Sequence, residues 1–382
     1  MIYLDNNATT RVMPEVLEAM IPYLTASYGN PSSAYSFARE SREAIERARE
    51  QVAGLVGAAD ANEIIFTSGG TESDNWSILS GLQSACGGRL VTTAVEHEAV
   101  RNLGEKLEKD GVKVTRLGVD GSGSIDLDEV RRSITPGTSV VSVMHANNET
   151  GVLFPVAEIA AIAKERSNAV VHVDGVNAAG KVPIDLKNTA IDLYAISGHK
   201  FHAPKGVGAL YIRKGTDLPP LLTGGGQEGG WRPGTPAVHQ IAGLGAAAEI
   251  VSDLSGMDTV RELRDRLERE VLSGIPAARL NGTADSSKRL PNTSNISFEN
   301  LSGEAIMAML DDKGFCVSTG SACASGSHSV SAVLAAMNVP YSFAMGAVRF
   351  SLGRLNEESD VDTLIAELPA IIGKLRERAG FA

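Results

Sequence analysis

Val156 to Gly175 reads VAEIAAIAKERSNAVVHVDG, and it changes character halfway. Val156–Arg166 is a helical segment. Val170–Val173 is a short apolar run of the kind that fills a buried strand, closed by Asp174 and Gly175. A helix that runs into a buried strand, with a carboxylate directly after it, is the repeating unit of a parallel sheet covered on both faces.

The alternation continues outward in both directions. Upstream, Ser41–Val56 (SREAIERAREQVAGLV) has apolar residues at helical spacing with charges between them, the pattern of an amphipathic helix. Glu63–Phe66, Arg89–Thr93, Lys113–Leu117 and Ser139–Met144 read as strands, and downstream so do Leu193–Ile196 and Gly208–Ile212. Leu222–Pro236 (LTGGGQEGGWRPGTP) interrupts regular sequence with glycine and proline, so it reads as a functional loop rather than a linker. Ile241–Arg269 follows as one long helix, or two broken around Ser252–Met257. Then come a strand at Asn295–Phe298, a helix at Gly303–Lys313, a strand at Gly346–Leu352 and an amphipathic helix at Asp360–Arg378. The expected fold class is α/β. A large domain of residues 14–250 carries a mixed, mostly parallel sheet, and residues 1–13 and 251–382 form a smaller α+β domain.

The 382 residues are 43% hydrophobic and 21% charged, an ordinary globular balance that needs no disulfide staples. Cys86, Cys316 and Cys323 show no paired pattern, which fits a reducing, cytoplasmic setting. The net charge of −11 argues against a nucleic-acid binder, so no direct nucleic-acid partner is expected. Met1–Thr10 (MIYLDNNATT) lacks the features of a signal peptide, and no run approaches the length of a membrane span. No metal site is expected, because no CxxC or HxxxH pairing accompanies the cysteines.

Three segments after apolar strands carry chemistry. In Ser68-Gly69-Gly70-Thr71-Glu72-Ser73, small residues at a helix start let backbone N–H groups approach a phosphate, with Thr71 and Ser73 adding hydroxyls. A simple N-cap turn fits those residues about as well. Asp174 sits at the carboxyl edge of the sheet, where α/β enzymes place ligands, and suits a cationic ring nitrogen; a turn or cap role is the alternative. Ser197-Gly198-His199-Lys200 puts a lysine just past a buried strand, where desolvation makes an amine nucleophilic. A snorkelling lysine at a domain edge is the plainer option. His97, also after a strand, suits ring stacking or acid–base work, or a capping role. Ser318–Ser327 (STGSACASGS) is a small-residue loop bearing Cys323, a thiol available for chemistry, whereas Cys316 reads as packing and Cys86 as an ordinary loop thiol.

Taken together the chain resembles the cysteine desulfurases, pyridoxal-phosphate enzymes of fold type I in the class V aminotransferase superfamily. The resemblance rests on Tyr3–Thr10 (YLDNNATT), Gly29–Ser33 (GNPSS), Phe66–Asn75 (FTSGGTESDN), Val95–Val100 (VEHEAV), Asn147–Gly151 (NNETG), Ser197–Pro204 (SGHKFHAP), Ser321-Ala322-Cys323 and Arg349–Arg354 (RFSLGR). The GSAC form of the cysteine loop resembles the IscS- and NifS-like branch. The resemblance implies a homodimer that binds pyridoxal 5'-phosphate, with Lys200 holding the cofactor and Asp174 pairing with its ring nitrogen. It implies His97 stacked on the ring, and Gly70, Thr71, Ser197 and His199 at the phosphate with Thr235 of the second subunit. Asn148 and Asn177 fall near the ring oxygen, Arg349 and Asn30 at the substrate carboxylate, and Cys323 attacks the sulfur of L-cysteine. Alanine and a persulfide result, and the sulfur passes to an acceptor protein of iron–sulfur assembly, tRNA thiolation or DNA phosphorothioation.

The sequence departs from the family in two places. Asn177 stands where glutamine is usual, one methylene shorter. In the Gly-Pro loop, Gly229 replaces a common arginine and Pro233 a small residue. The rival activities are a selenocysteine lyase or another class V reaction such as transamination, which needs no thiol, and a sulfur-relay scaffold without turnover.

Overall fold

The computed structural model describes residues 1–85, 88–319 and 330–380. Cys86 and Cys323 lie outside the described residues. A short strand, β1 (Ile2–Tyr3), precedes the main sheet, whose strands in chain order are β2 (Ile64–Thr67), β3 (Arg89–Thr93), β4 (Lys113–Leu117), β5 (Thr138–Met144), β6 (Val170–Asp174), β7 (Leu193–Ser197) and β8 (Gly208–Ile212). Among the described residues these make a seven-stranded sheet in the order β2-β8-β7-β6-β5-β3-β4. β8 runs antiparallel to both neighbours, and the other pairings are parallel. Every residue of β5 is buried, as an apolar strand covered by helices on both faces must be.

The helices that cover the sheet are cut where the sequence supplies caps. Arg39–Val56 ends at Gly57, whose φ of 61° is the left-handed conformation that closes a helix and favours glycine. The expected break after Ser252 is present: Val238–Ser252 and Gly256–Gly274 are separate helices. β6 and β7 each run one residue further than expected, because ladder pairing continues through Asp174↔Ala195 and Ser197↔Gly208. Asp174 and Ser197 are therefore held by strand backbone rather than by loops.

The remaining strands are β9 (Ala278–Leu280), β10 (Thr293–Phe298), β11 (Phe315–Cys316) and β12 (Ala347–Ser351). β12, β10 and β9 form an antiparallel sheet in that order, and β11 pairs with β1 in parallel. Cys316 is half-buried in β11. The main core gathers around Val141, Val171, Tyr194 and Leu244, and a second core around Leu4, Leu267, Phe298, Phe350 and Leu368. Val333, Leu334 and Met337 belong to the first core although they follow strands β9–β11 in sequence. Among the described residues no helix is long and apolar enough to cross a membrane.

Candidate active site

The carboxyl edge of the sheet gathers most of the residues singled out in the sequence. β2 ends at Thr67 and turns through Ser68 and Gly69 into the helix Gly70–Ser84. β6 ends at Asp174, and β7 ends at Ser197, which leads into the short turn Gly198–Lys200. His97 opens the helix Glu98–Lys109 after β3, its Nδ1 accepting the Ala99 N–H at 3.2 Å. Gly70, Thr71, His97, Asp174, Asn177, Ser197, His199 and Lys200 line one cavity of about 530 Å³. His97 is both a cap and a wall of that cavity.

The end of the cavity at Gly70 suits an anion. Gly69 occupies the cap position of the helix Gly70–Ser84 with φ 148°, and no side chain caps the helix. Its first N–H groups thus have no partner within the helix and carry its positive dipole end. Thr71 lies inside the first turn, and Ser73 Oγ is spent on Gly69 O at 3.1 Å and Thr67 Oγ1 at 2.9 Å, so the capping alternative fails for both. His199 Nδ1 lies 3.2 Å from Thr9 Oγ1, and burial, then Lys200, hold its imidazole down at about 4, so it is neutral.

The same cavity is lined by carboxyls, Asp74 and Asp174 among them. Asp174 Oδ1 accepts the Val176 N–H at 3.0 Å. Burial raises Asp174 above the ordinary carboxylate range, while His97, that N–H and Lys200 oppose the rise. Asp74, which also lines the cavity, is raised well above its ordinary range by burial, then by Asp174 and Glu96. Its Oδ1 is 3.3 Å from His172 Nε2, yet neither atom makes a hydrogen bond among the described residues. Burial takes His172 down to about 3, so the imidazole is neutral and the contact is no ion pair.

Lys200 Nζ donates to the carbonyls of Asn7 at 2.5 Å and Ala8 at 3.1 Å. The sequence flagged YLDNNATT as a motif and gave its residues no role. Backbone carbonyls leave no side-chain signature, so these partners were missed. Asp74 had a usable signal: on a helix that starts at Gly70 it lies four residues on, hence on the same face.

Other sequence candidates stand apart from the cavity. Asn148 does not line it; its carbonyl accepts from Arg349 Nη1 at 2.9 Å and Asn7 Nδ2 at 3.1 Å. Arg349 is buried, its Nη2 2.6 Å from Asp5 Oδ1. Asn30 is exposed and accepts the Ser32 N–H at 2.9 Å, an ordinary turn contact. Thr235 lines a neighbouring cavity of about 230 Å³ that shares Ser68 and Gly206 with the first. Its loop is held by two ion pairs, Arg49–Glu228 at 2.9 Å and Arg232–Glu72 at 2.9 Å. Asn177 Oδ1 is buried without a hydrogen-bond partner among the described residues, which leaves that amide available to a ligand.

The chain matches the aminotransferase class-V family over residues 2–364. A cysteine desulfurase of Trichormus azollae is 50% identical over 385 aligned residues, covering 100% of this chain and 95% of the relative. A solved NifS-like protein superposes with a TM-score of 0.91 at 38% identity, covering 98% of this chain and 100% of that one. The structure of SspA in complex with cysteine superposes with a TM-score of 0.81 at 34% identity, covering 92% and 99%. This chain therefore belongs to the cysteine desulfurases, within the class V aminotransferase family.

Proposed function

We propose that this protein is a cysteine desulfurase that binds pyridoxal phosphate through Lys200 and passes the sulfur of L-cysteine to Cys323 and then to an acceptor protein. The observation that carries the reading is one cavity whose lining holds an uncapped helix N-terminus, a buried carboxyl and a lysine together. An anionic, planar group with a cationic ring nitrogen fits that arrangement of charges. The orphaned Asn177 amide and the neutral His199 supply further polar contacts.

Pyridoxal phosphate, when bound, supplies an electron sink for negative charge next to the substrate amino group. Asp174 would pair with the ring nitrogen and keep its proton, and His97 would stack on the ring. Gly70, Thr71, Ser197 and His199 would hold the phosphate, assisted by Thr235 of a second subunit. Lys200 holds the cofactor and, once freed, takes the proton from Cα of the substrate. Arg349, with Asn30, binds the substrate carboxylate, and Asn148 steadies Arg349 through its carbonyl. The Cys323 thiolate would attack the substrate sulfur: an S–S bond forms, the Cβ–S bond breaks with its electron pair left on Cβ, Cβ is protonated, and Lys200 returns the proton to Cα to give alanine.

Two features support a homodimer. Leu17, Ile21 and Leu24 form an exposed apolar stripe on the helix Pro14–Thr25, with Tyr28 just beyond it. Thr235 belongs to a cavity beside the main one rather than to it. Sedimentation at a single monomer mass would contradict the dimer. The acidic charge fits a cytoplasmic enzyme with protein partners.

Lys200→Ala tests the cofactor assignment. The wild type reconstituted with pyridoxal phosphate should show the yellow absorbance of a covalently held cofactor, resistant to dialysis, and the variant should lose it. An unchanged spectrum in the variant would refute Lys200.

A further inference from the structure

Glu72 lines the main cavity from the first turn of the helix Gly70–Ser84, and no step above uses it. Its Oε2 accepts the Ser68 N–H at 2.8 Å, so the carboxylate lies against the same glycine turn that is assigned to the phosphate. A carboxylate in that place is drawn to the positive end of the helix and competes with any other anion for it. Burial pushes Glu72 up, but the hydrogen bonds from Arg232 and Ser68 outweigh it and hold the carboxyl below its ordinary range. Glu72 is therefore charged at neutral pH.

Arg232 answers that charge. Its Nε donates to Glu72 Oε1 at 2.9 Å and its Nη2 to Oε2 at 3.2 Å, a two-point pairing of planar groups. Glu72 lines the main cavity and Arg232 the neighbouring one that holds Thr235, so the pair bridges the two.

The loop that carries Arg232 has a deeper anchor elsewhere. Glu228 accepts from Arg49 Nη1 at 2.9 Å, from Arg49 Nη2 at 3.0 Å and from the Phe66 N–H at 3.0 Å. Arg49 Nη1 also donates to Ile64 O at 2.6 Å, which docks the loop along β2. The side chains of Arg49 and Glu228 are 9% and 6% exposed, against 26% and 14% for Arg232 and Glu72. The more exposed pair adds less to holding the loop, so the charge it cancels is the larger part of its role.

We propose that Arg232 is a positioning residue for the cofactor phosphate: by pairing with Glu72 it cancels a competing negative charge at the start of the Gly70 helix, and so lets a phosphate dock there. The inference rests on the reading of that turn as the phosphate site of pyridoxal phosphate.

The test uses the full-length chain freed of cofactor and titrated with pyridoxal 5'-phosphate and, separately, with pyridoxal, which has the same ring and aldehyde but no phosphate. Binding is followed by the absorbance of the held cofactor. Arg232→Gln is expected to weaken pyridoxal phosphate on the order of tenfold and to leave pyridoxal unchanged. Adding Glu72→Gln to that variant removes the uncompensated charge and should return the affinity close to the wild-type value. Glu72→Gln alone leaves Arg232 as an unpaired cation and should bind pyridoxal phosphate at least as tightly as wild type. If the pair served only to hold the loop, each substitution would break the same contact and all three variants would weaken alike. That result, or an equal loss of affinity for pyridoxal and its phosphate, overturns the inference and leaves the phosphate reading standing. Wild type binding pyridoxal as tightly as its phosphate overturns both. If Arg232→Gln does not fold, Glu72→Gln alone decides: weaker binding of pyridoxal phosphate than wild type overturns the inference.

Discussion

Glu96 is buried, with Oε1 accepting from Thr93 Oγ1 at 2.6 Å and from the Met144 N–H at 3.1 Å, while Oε2 has no partner among the described residues. Burial pushes this carboxyl up to about 8 from an ordinary 4.5, with Asp174 adding to the rise. Its stabilising contribution is complete while the unfolded chain also holds the proton, and it is lost progressively as pH rises from about 4.5 to about 8. Glu96→Gln keeps the shape and removes this titration. The variant is expected to melt at a higher temperature than wild type near pH 8, with the gap closing towards pH 5, as calorimetry at matched cofactor occupancy would show. A gap of equal size at both pH values would mean that Glu96 is charged in the folded protein.

Among the elements, the turn after β6 is the most constrained. A Cβ on Gly175 would lie 1.9 Å from Tyr194 Cε1 and 2.4 Å from its hydroxyl oxygen. The ring cannot swing away easily, because its hydroxyl is 2.7 Å from His145 Nδ1 and its body is packed in the main core. Gly175→Ala is expected to destabilise the fold by about 3 kcal/mol and to displace Asp174, measured by denaturant unfolding and by cofactor affinity. Stability within error of wild type would contradict this packing. The strands of the seven-stranded sheet and the helices around it were legible because each is a period: apolar runs of four to seven residues, and helices with charges on one face. The glycine turn that opens the helix Gly70–Ser84 was legible because glycines mark it, and the positions of Asp174 and Lys200 because each follows a buried strand. The carbonyl partners of Lys200 and the 3.3 Å contact between Asp74 and His172 were not. They join residues distant in sequence, through groups that carry no local pattern. The packing of Val333, Leu334 and Met337 on the first core was hidden for the same reason, since an apolar residue does not announce which core it joins.

Across the whole molecule, residues 5–10 bind the two cores together. Asp5 pairs with Arg349, the Asn6 N–H donates to Ser351 O at 3.0 Å, and Asn7 Nδ2 donates to Thr293 Oγ1 at 2.8 Å, all towards the sheet of β9, β10 and β12. The same arm accepts from Lys200 and donates the Thr10 N–H to His199 O at 2.8 Å. The lysine turn is thus fixed to the sheet that carries Arg349. Ser318 exchanges backbone hydrogen bonds with Arg349 at 3.2 and 2.7 Å, and Ser331 Oγ donates to buried Glu149 Oε2 at 2.5 Å. The described chain on either side of residues 320–329 is therefore anchored close to the proposed substrate-carboxylate site. The central claim is that this assembly removes sulfur from L-cysteine through Cys323. The most direct test is to incubate the protein loaded with pyridoxal phosphate with L-cysteine and a reductant, and to assay sulfide and alanine together for wild type and Cys323→Ala. Equal amounts of both products from wild type, with both lost in a variant that keeps the cofactor spectrum, is the expected result. Alanine without sulfide, or turnover untouched by the substitution, would contradict it.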